Sequence, residues 1–184
     1  MNRSQLEHII RAAGSITGDS EMIIIGSQAI LSQFPDASPV LLQSMEVDLF
    51  PKNKPELSDL VDGSIGELSV FHQTFGYYAH GVEKRTAILP EGWEDRLIPI
   101  KNPNTKGITG WCLEVHDLVL SKYIAGRERD LKFNEEVIRH RMVQEDTLLK
   151  HAEVLPLKQS QKKSIMQRIK DDFTESNEIG RKKK

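Results

Sequence analysis

Two carboxylates, Glu46 and Asp48, stand two residues apart in the apolar run SMEVDLFP, residues 44–51. On a strand, alternate residues face the same side. The two acids therefore share one face, about 7 Å apart by the strand rise, while Met45, Val47 and Leu49 share the other. Like charges so placed repel unless a cation lies between them. Oxygen donors on a rigid strand suit Mg²⁺, which takes one or two carboxylates and fills its shell with water and substrate phosphates. Two such ions can activate an attacking oxygen and neutralise a leaving pyrophosphate. Upstream, EMIII (21–25) ends at Gly26-Ser27, just before QAILSQF (28–34). Glycine lets the backbone approach a phosphate closely, the serine hydroxyl and N–H groups donate to it, and a following helix N-terminus favours an anion. Either feature alone is ordinary: a strand with two outward acids is usually a solvated face. The pair in this order is the more specific signal.

Ser4-x-x-Glu7 is a capping-box pattern opening a short helix with Leu6, Ile9, Ile10 and Ala13 on one face and Gly14 as its end. EMIII is a buried strand, QAILSQF a helix packing back on it, and SMEVDLF a second strand stopped by Pro51. PELSDLV (55–61) is a helix with proline in its first turn, and Ser64-x-x-Glu67 announces another before LSVFHQTF. YYAHGV, RTAIL and RLIPI are short strand candidates. From Trp111 the pattern turns helical. CLEVHDLVLSKYIAG leads, followed by NEEVIRHRMV capped by Asn134 and DTLLKHAEVL capped by Asp146. KKSIMQRIKDDF closes as an amphipathic helix aligning Ile165, Ile169 and Phe173. Three stretches are expected: an α/β core over 1–113, a helical part over 114–157, and a charged helix with basic tail over 158–184.

Strand, Gly-Ser, helix, then an acid–apolar–acid strand resembles the DNA polymerase beta-like nucleotidyltransferase superfamily. Within it, the chain is most similar to small bacterial members related to abortive-infection and toxin–antitoxin nucleotidyltransferases. LEVHDLVLSKYIAGRERDLKF (113–133) is similar to that group's leucine–acid–leucine, lysine, arginine–basic–aspartate helix, and LPEGWEDRLIPI (89–100) to a segment of its uncharacterised cousins. The resemblance covers roughly residues 20–150 and implies an α/β (α+β) fold, a mixed sheet flanked by helices followed by a helical C-terminal half. It also implies transfer of a nucleoside monophosphate from an NTP to a hydroxyl of RNA, protein or a small molecule, in a toxin–antitoxin or phage-defence setting with a cognate antitoxin. By the same resemblance Glu46 and Asp48 hold two Mg²⁺ ions, and Gly26 and Ser27 hold the triphosphate. Lys122 meets phosphate charge and Asp130 orients Arg129 or a nucleophile, with Arg127 and Arg129 as further phosphate contacts. The catalytic set would be Glu46, Asp48, Lys122 and Asp130, with Gly26, Ser27, Lys122 and Arg129 binding nucleotide.

Two departures from the family pattern stand out. Its first acid is usually aspartate, here Glu46, and a third carboxylate normally comes from a later strand where apolar residues flank one acid. RTAIL (85–89) is the best candidate for that strand but carries Thr86 and Ala87, with Glu83 just upstream. A catalytically degenerate protein of the same fold, acting as a binding or regulatory partner, is the alternative reading.

The bulk composition fits one soluble domain: 184 residues, 38% hydrophobic, 28% charged, net charge −2. Such a balance gives no global pull toward nucleic acid. From Lys158 onward, however, nine Lys/Arg face four Asp/Glu, ending GRKKK, which supports a third reading as a nucleic-acid binder through that tail. The lone Cys112 excludes an internal disulfide and reads as a core residue. MNRSQLEHII lacks the apolar core of a signal peptide, and no apolar run nears the roughly 20 residues of a membrane span, so a cytoplasmic protein with no membrane partner is expected.

Overall fold

A computed structural model describes residues 1–182, with side chains to residue 178. The side chains of the basic ending GRKKK lie outside the described residues. The chain divides into two compact units: Met1–Thr86 with Arg96–Glu114, and Ala87–Asp95 with the chain from Val115 onward.

The first unit is built on a five-stranded mixed sheet. Its strands are β1 (Glu21–Ile24), β2 (Glu46–Pro51), β3 (Tyr78–Gly81), β4 (Ile98–Ile100) and β5 (Thr109–Cys112), in the order β3-β2-β1-β5-β4. β1 runs antiparallel to β2 and parallel to β5, β2 parallel to β3, and β4 antiparallel to β5. The helices of this unit are α1 (Arg3–Thr17), α2 (Ser58–Ile65) and α3 (Val70–Phe75). α1 buries Leu6, Ile9, Ile10 and Ala13 completely, the apolar stripe expected of a helix covering a sheet. Two glycines record how closely the helices lie on the strands. A Cβ on Gly110 would come 2.4 Å from Ile10 Cδ1 of α1, and one on Gly81 would come 2.0 Å from the Ser58 carbonyl oxygen of α2.

Several elements differ from the sequence reading. α1 is capped by Asn2, whose side chain accepts from the Gln5 N–H at 3.0 Å while Gln5 Oε1 accepts from the Asn2 N–H at 2.8 Å. It ends at left-handed Gly18, φ 62°, not at Gly14. Gly14 lies within the helix because a Cβ there would sit 2.8 Å from Ile108. Glu7 is likewise no cap: it is buried and accepts from Arg3 Nε at 2.9 Å, Asn102 Nδ2 at 2.7 Å and Asn104 Nδ2 at 2.8 Å. QAILSQF forms a 3-10 turn, Ser27–Ser32, in place of an α-helix. α3 is capped by Ser69, not by the Ser64–Glu67 box. RTAIL is no strand, Lys84–Thr86 being a 3-10 turn. TGWC, unforeseen, is the strand β5 beside β1. Cys112 within it is fully buried, as expected, and burial pushes its thiol up to about 12.

The second unit is helical: α4 (Val115–Ala125), α5 (Glu128–Arg139), α6 (Glu145–Glu153) and α7 (Gln159–Lys182). Asn134 does not open a helix; it is buried in mid-α5 and donates from Nδ2 to the Val119 carbonyl of α4 at 3.1 Å. Asp146 lies one residue inside α6, whose N-cap is Gln144. His151 of α6 pairs with the buried Asp117 of α4, Nδ1 to Oδ1 3.0 Å, and the Tyr123 hydroxyl of α4 donates to Asp172 of α7 at 2.7 Å. Ile169 anchors α7 with no exposure. Among the described residues, no helix is long and apolar enough to cross a membrane.

A carboxylate clasp holds β1 in register. Buried Asp19 accepts from the backbone N–H groups of Glu21 (3.0 Å), Asn53 (2.7 Å) and Lys54 (3.1 Å), and from Asn53 Nδ2 (2.9 Å). Glu21 accepts from Lys52 Nζ at 3.0 Å, Asn53 Nδ2 at 3.2 Å and Trp111 Nε1 at 2.7 Å. The hydrogen bonds from Lys52, Asn53 and Trp111 hold Glu21 down at about 2, and in Asp19 the Asn53 and backbone donors outweigh the burial that would raise it. Both folded values lie below the ordinary carboxylate range. Their stabilisation is therefore complete above about pH 5 and is lost as pH falls toward 2. The part of the denaturant midpoint that this clasp carries should hold from pH 7 to about pH 5 and fall from there to pH 3. Asp19→Asn, which sets an amide donor against backbone donors, should cost about 3 kcal/mol at pH 7 and flatten that pH dependence.

Candidate active site

β2 alternates as its pattern requires: Val47 and Leu49 are fully buried, while Glu46 and Asp48 are half-buried on the opposite face. The parallel register of β3 then sets Tyr78 opposite Glu46 and His80 opposite Asp48. His80 Nδ1 lies 3.1 Å from Asp48 Oδ1 and 3.4 Å from Glu46 Oε1, and the Tyr78 hydroxyl donates to Glu46 Oε2 at 2.9 Å. Ligand-capable atoms of Glu46, Asp48 and His80 all lie within 4.8 Å of one another.

The loop after β1 closes on the same carboxylate. The Ile25 N–H donates to the Asp48 carbonyl at 3.1 Å, and Gly26 follows in extended conformation, φ −83° and ψ −177°. A Cβ at Gly26 would lie 2.3 Å from Asp48 Oδ2 and 3.0 Å from Asp48 Cβ and Cγ. Position 26 thus leaves Asp48 the volume its carboxylate occupies, independently of any phosphate. Ser27 is half-buried at the first position of the 3-10 turn.

The electrostatics are those of crowded acids. Burial first, then the neighbouring Glu46, push Asp48 up to about 6, against the opposing pull of His80. Burial would raise Glu46 too, but hydrogen bonds from Asp48 and Tyr78 and the His80 charge bring it below its ordinary value. Burial disfavours charge on His80, yet Asp48 and Glu46 outweigh it and raise its pKa. Deprotonated Asp48 beside Glu46 is an uncomfortable arrangement that a positive charge relieves.

In the second unit, Lys122 and Asp130 are brought to each other, Nζ to Oδ1 3.0 Å, with side chains only 12% and 9% exposed. Lys122 Nζ also lies 4.5 Å from the Phe133 ring centroid, and Arg127 Nε is 3.7 Å from Asp130 Oδ2. Asp130 therefore pairs with Lys122 and Arg127, and Arg129 is exposed on α5. Glu83, the acid just upstream of RTAIL, is exposed and bound to Arg85 Nη2 at 3.1 Å.

Sequence reasoning does not find His80 and Tyr78. The strand beside β2 is β3, not RTAIL, and its A-H-G places one polar residue between small ones. A search confined to acids passes over that signal.

A donor set of two carboxylates and an imidazole, with a cradle at Gly26 that any side chain would fill, fits a divalent cation. The family model for a nucleotidyltransferase of unknown function (DUF6036) matches residues 4–174. No curated protein and no solved structure matches the chain. A match of that extent takes in the sheet, the Gly26–Asp48 contact and the helices α4 to α6, and the chain belongs to this nucleotidyltransferase family.

Proposed function

We propose that the protein is a divalent-metal-dependent nucleotidyltransferase that moves a nucleoside monophosphate from an NTP to a hydroxyl on RNA, protein or a small molecule, releasing pyrophosphate. The observation that carries this reading is the carboxylate pair Glu46 and Asp48 on one face of β2, with Gly26 giving the Asp48 oxygen its space. Glu46 and Asp48 would hold Mg²⁺ or a similar ion, which when bound supplies charge neutralisation for the phosphates and the leaving group. Gly26 and Ser27 would meet the triphosphate with backbone N–H and hydroxyl donors. Tyr78 fixes the rotation of the Glu46 carboxylate. Lys122 and Arg129 enter the proposal as phosphate-directed groups of the helical unit, with Asp130 as the carboxylate that orients Lys122. A toxin–antitoxin or defence setting, with a cognate antitoxin as partner, rests on the likeness of residues 113–133.

A second reading is favoured by one observation: His80 stands on the strand beside the two acids, where a third carboxylate is expected. It makes the protein a degenerate member that binds a partner. Thermal denaturation with each NTP, with and without Mg²⁺ or Mn²⁺, separates the two. The transferase reading expects a metal-dependent rise in melting temperature, equivalent to about 2.7 kcal/mol at a hundredfold over the dissociation constant. No rise with any nucleotide and metal would sink it in favour of the second.

A further inference from the structure

His80 reaches the acids from a different strand, with its Nδ1 facing both, 3.1 Å from Asp48 Oδ1 and 3.4 Å from Glu46 Oε1. The second Glu46 oxygen is occupied by the Tyr78 hydroxyl at 2.9 Å, and the Tyr78 ring rests 4.6 Å, centroid to centroid, from that of His72. The carboxylate is thereby turned so that Oε1 is the oxygen beside the imidazole. Second groups of this kind orient metal ligands. The His80 side chain is 51% exposed, so it bears little of the fold, and its ring has room to turn.

We infer, on the reading that Glu46 and Asp48 bind a divalent ion, that His80 is a third ligand of that ion and that the site thereby prefers a first-row transition metal to Mg²⁺. Mg²⁺ keeps an oxygen shell and dehydrates reluctantly. An imidazole nitrogen shifts a carboxylate site toward the softer transition ions, whose affinity for a mixed nitrogen–oxygen set rises from Mn²⁺ along the row. Mn²⁺ shares the carboxylate and water preferences of Mg²⁺, so it is the probe with which the nitrogen contribution is read most directly.

The test is electron paramagnetic resonance of Mn²⁺ with the wild-type chain, His80→Gln and His80→Asp, each titrated against competing Mg²⁺. Circular dichroism confirms that the variants fold. Spin-echo modulation should show a directly bound ¹⁴N in the wild type and none in either variant. The preference for Mn²⁺ over Mg²⁺ should fall at least tenfold in His80→Asp, which offers oxygen alone. Mn²⁺ bound without nitrogen coupling, or a preference unchanged by both substitutions, would overturn the role of His80 while leaving the two-carboxylate site standing. Wild-type protein that binds neither ion would overturn the inference and the metal-dependent reading beneath it together.

Discussion

Asp48→Asn loses nucleotidyl transfer by roughly a thousandfold or more, about 4 kcal/mol of transition-state stabilisation, while the metal-free protein melts no lower than wild type at pH 7. The two halves of this expectation have one cause. Burial and the adjacent Glu46 raise Asp48 to about 6, so at neutral pH the folded protein holds a carboxylate that it would rather keep protonated. A group whose folded pKa lies above its unfolded value withdraws stability as pH rises between the two, here from about 4 to about 6. The asparagine, nearly isosteric and neutral, removes that penalty. Its advantage over wild type should be absent at pH 4, develop through pH 6, and reverse when saturating metal and NTP stabilise the wild type alone. Melting curves at pH 4, 6 and 7, with and without Mn²⁺ and NTP, beside a pyrophosphate-release assay, check each part. Near wild-type transfer in the variant would remove Asp48 from the chemistry. A large loss of apo stability at pH 7 would mean its charge is structural, not held in reserve for a cation.

The two acids of β2 are the part of the site that is legible in the sequence. Acids at period two read on their own as a solvated strand face, and it is their order after the Gly26-Ser27 turn that sets them apart. Glu46 and Asp48 are readable because the strand period is local information. His80 is not, because its place beside Asp48 follows from the parallel register of β2 and β3, thirty-two residues apart in sequence. A search for a third acid falls on RTAIL, whose β-branched and apolar residues look like a strand but form a 3-10 turn and loop.

The same limit explains the misread elements. TGWC is too short and too glycine-bearing to look like a strand, yet Gly110 is there because Ile10 occupies the space of its side chain. Gly14 looks like a helix end because glycine favours that role, but contact with Ile108 governs it and Gly18 ends the helix. Asn134 looks like a cap because its amide competes with the helix backbone, and the Val119 carbonyl of a neighbouring helix gives it another partner. In each case tertiary contact overrides a correct local preference. The Lys122–Asp130 pair lies between these extremes. Its residues stand out by likeness, but that they bind each other depends on the turn between α4 and α5.

Gly26→Ala offers the sharpest test of how the two halves of the site are joined. The added methyl carbon would lie 2.3 Å from Asp48 Oδ2 and 3.0 Å from Asp48 Cβ. The backbone conformation is one any residue adopts, φ −83° and ψ −177°, so no dihedral strain enters. The effect is steric and directed at one side chain. The carboxylate can rotate away, but doing so breaks its contact with His80 and separates it from Glu46. The stability cost should therefore be modest, about 1–2 kcal/mol as for a small overpacking, while metal-dependent nucleotide binding should be lost almost as completely as in Asp48→Asn. A double-mutant cycle isolates the cause. In an Asp48→Ala background the carboxylate is gone and only the Cβ contact at 3.0 Å remains, so Gly26→Ala should cost clearly less than in the wild type. An equal cost in both backgrounds would place the clash elsewhere in the loop. Full metal-dependent nucleotide binding in Gly26→Ala would show that Asp48 works from a different rotamer, and the glycine would then be left with the phosphate as its only reason to be there.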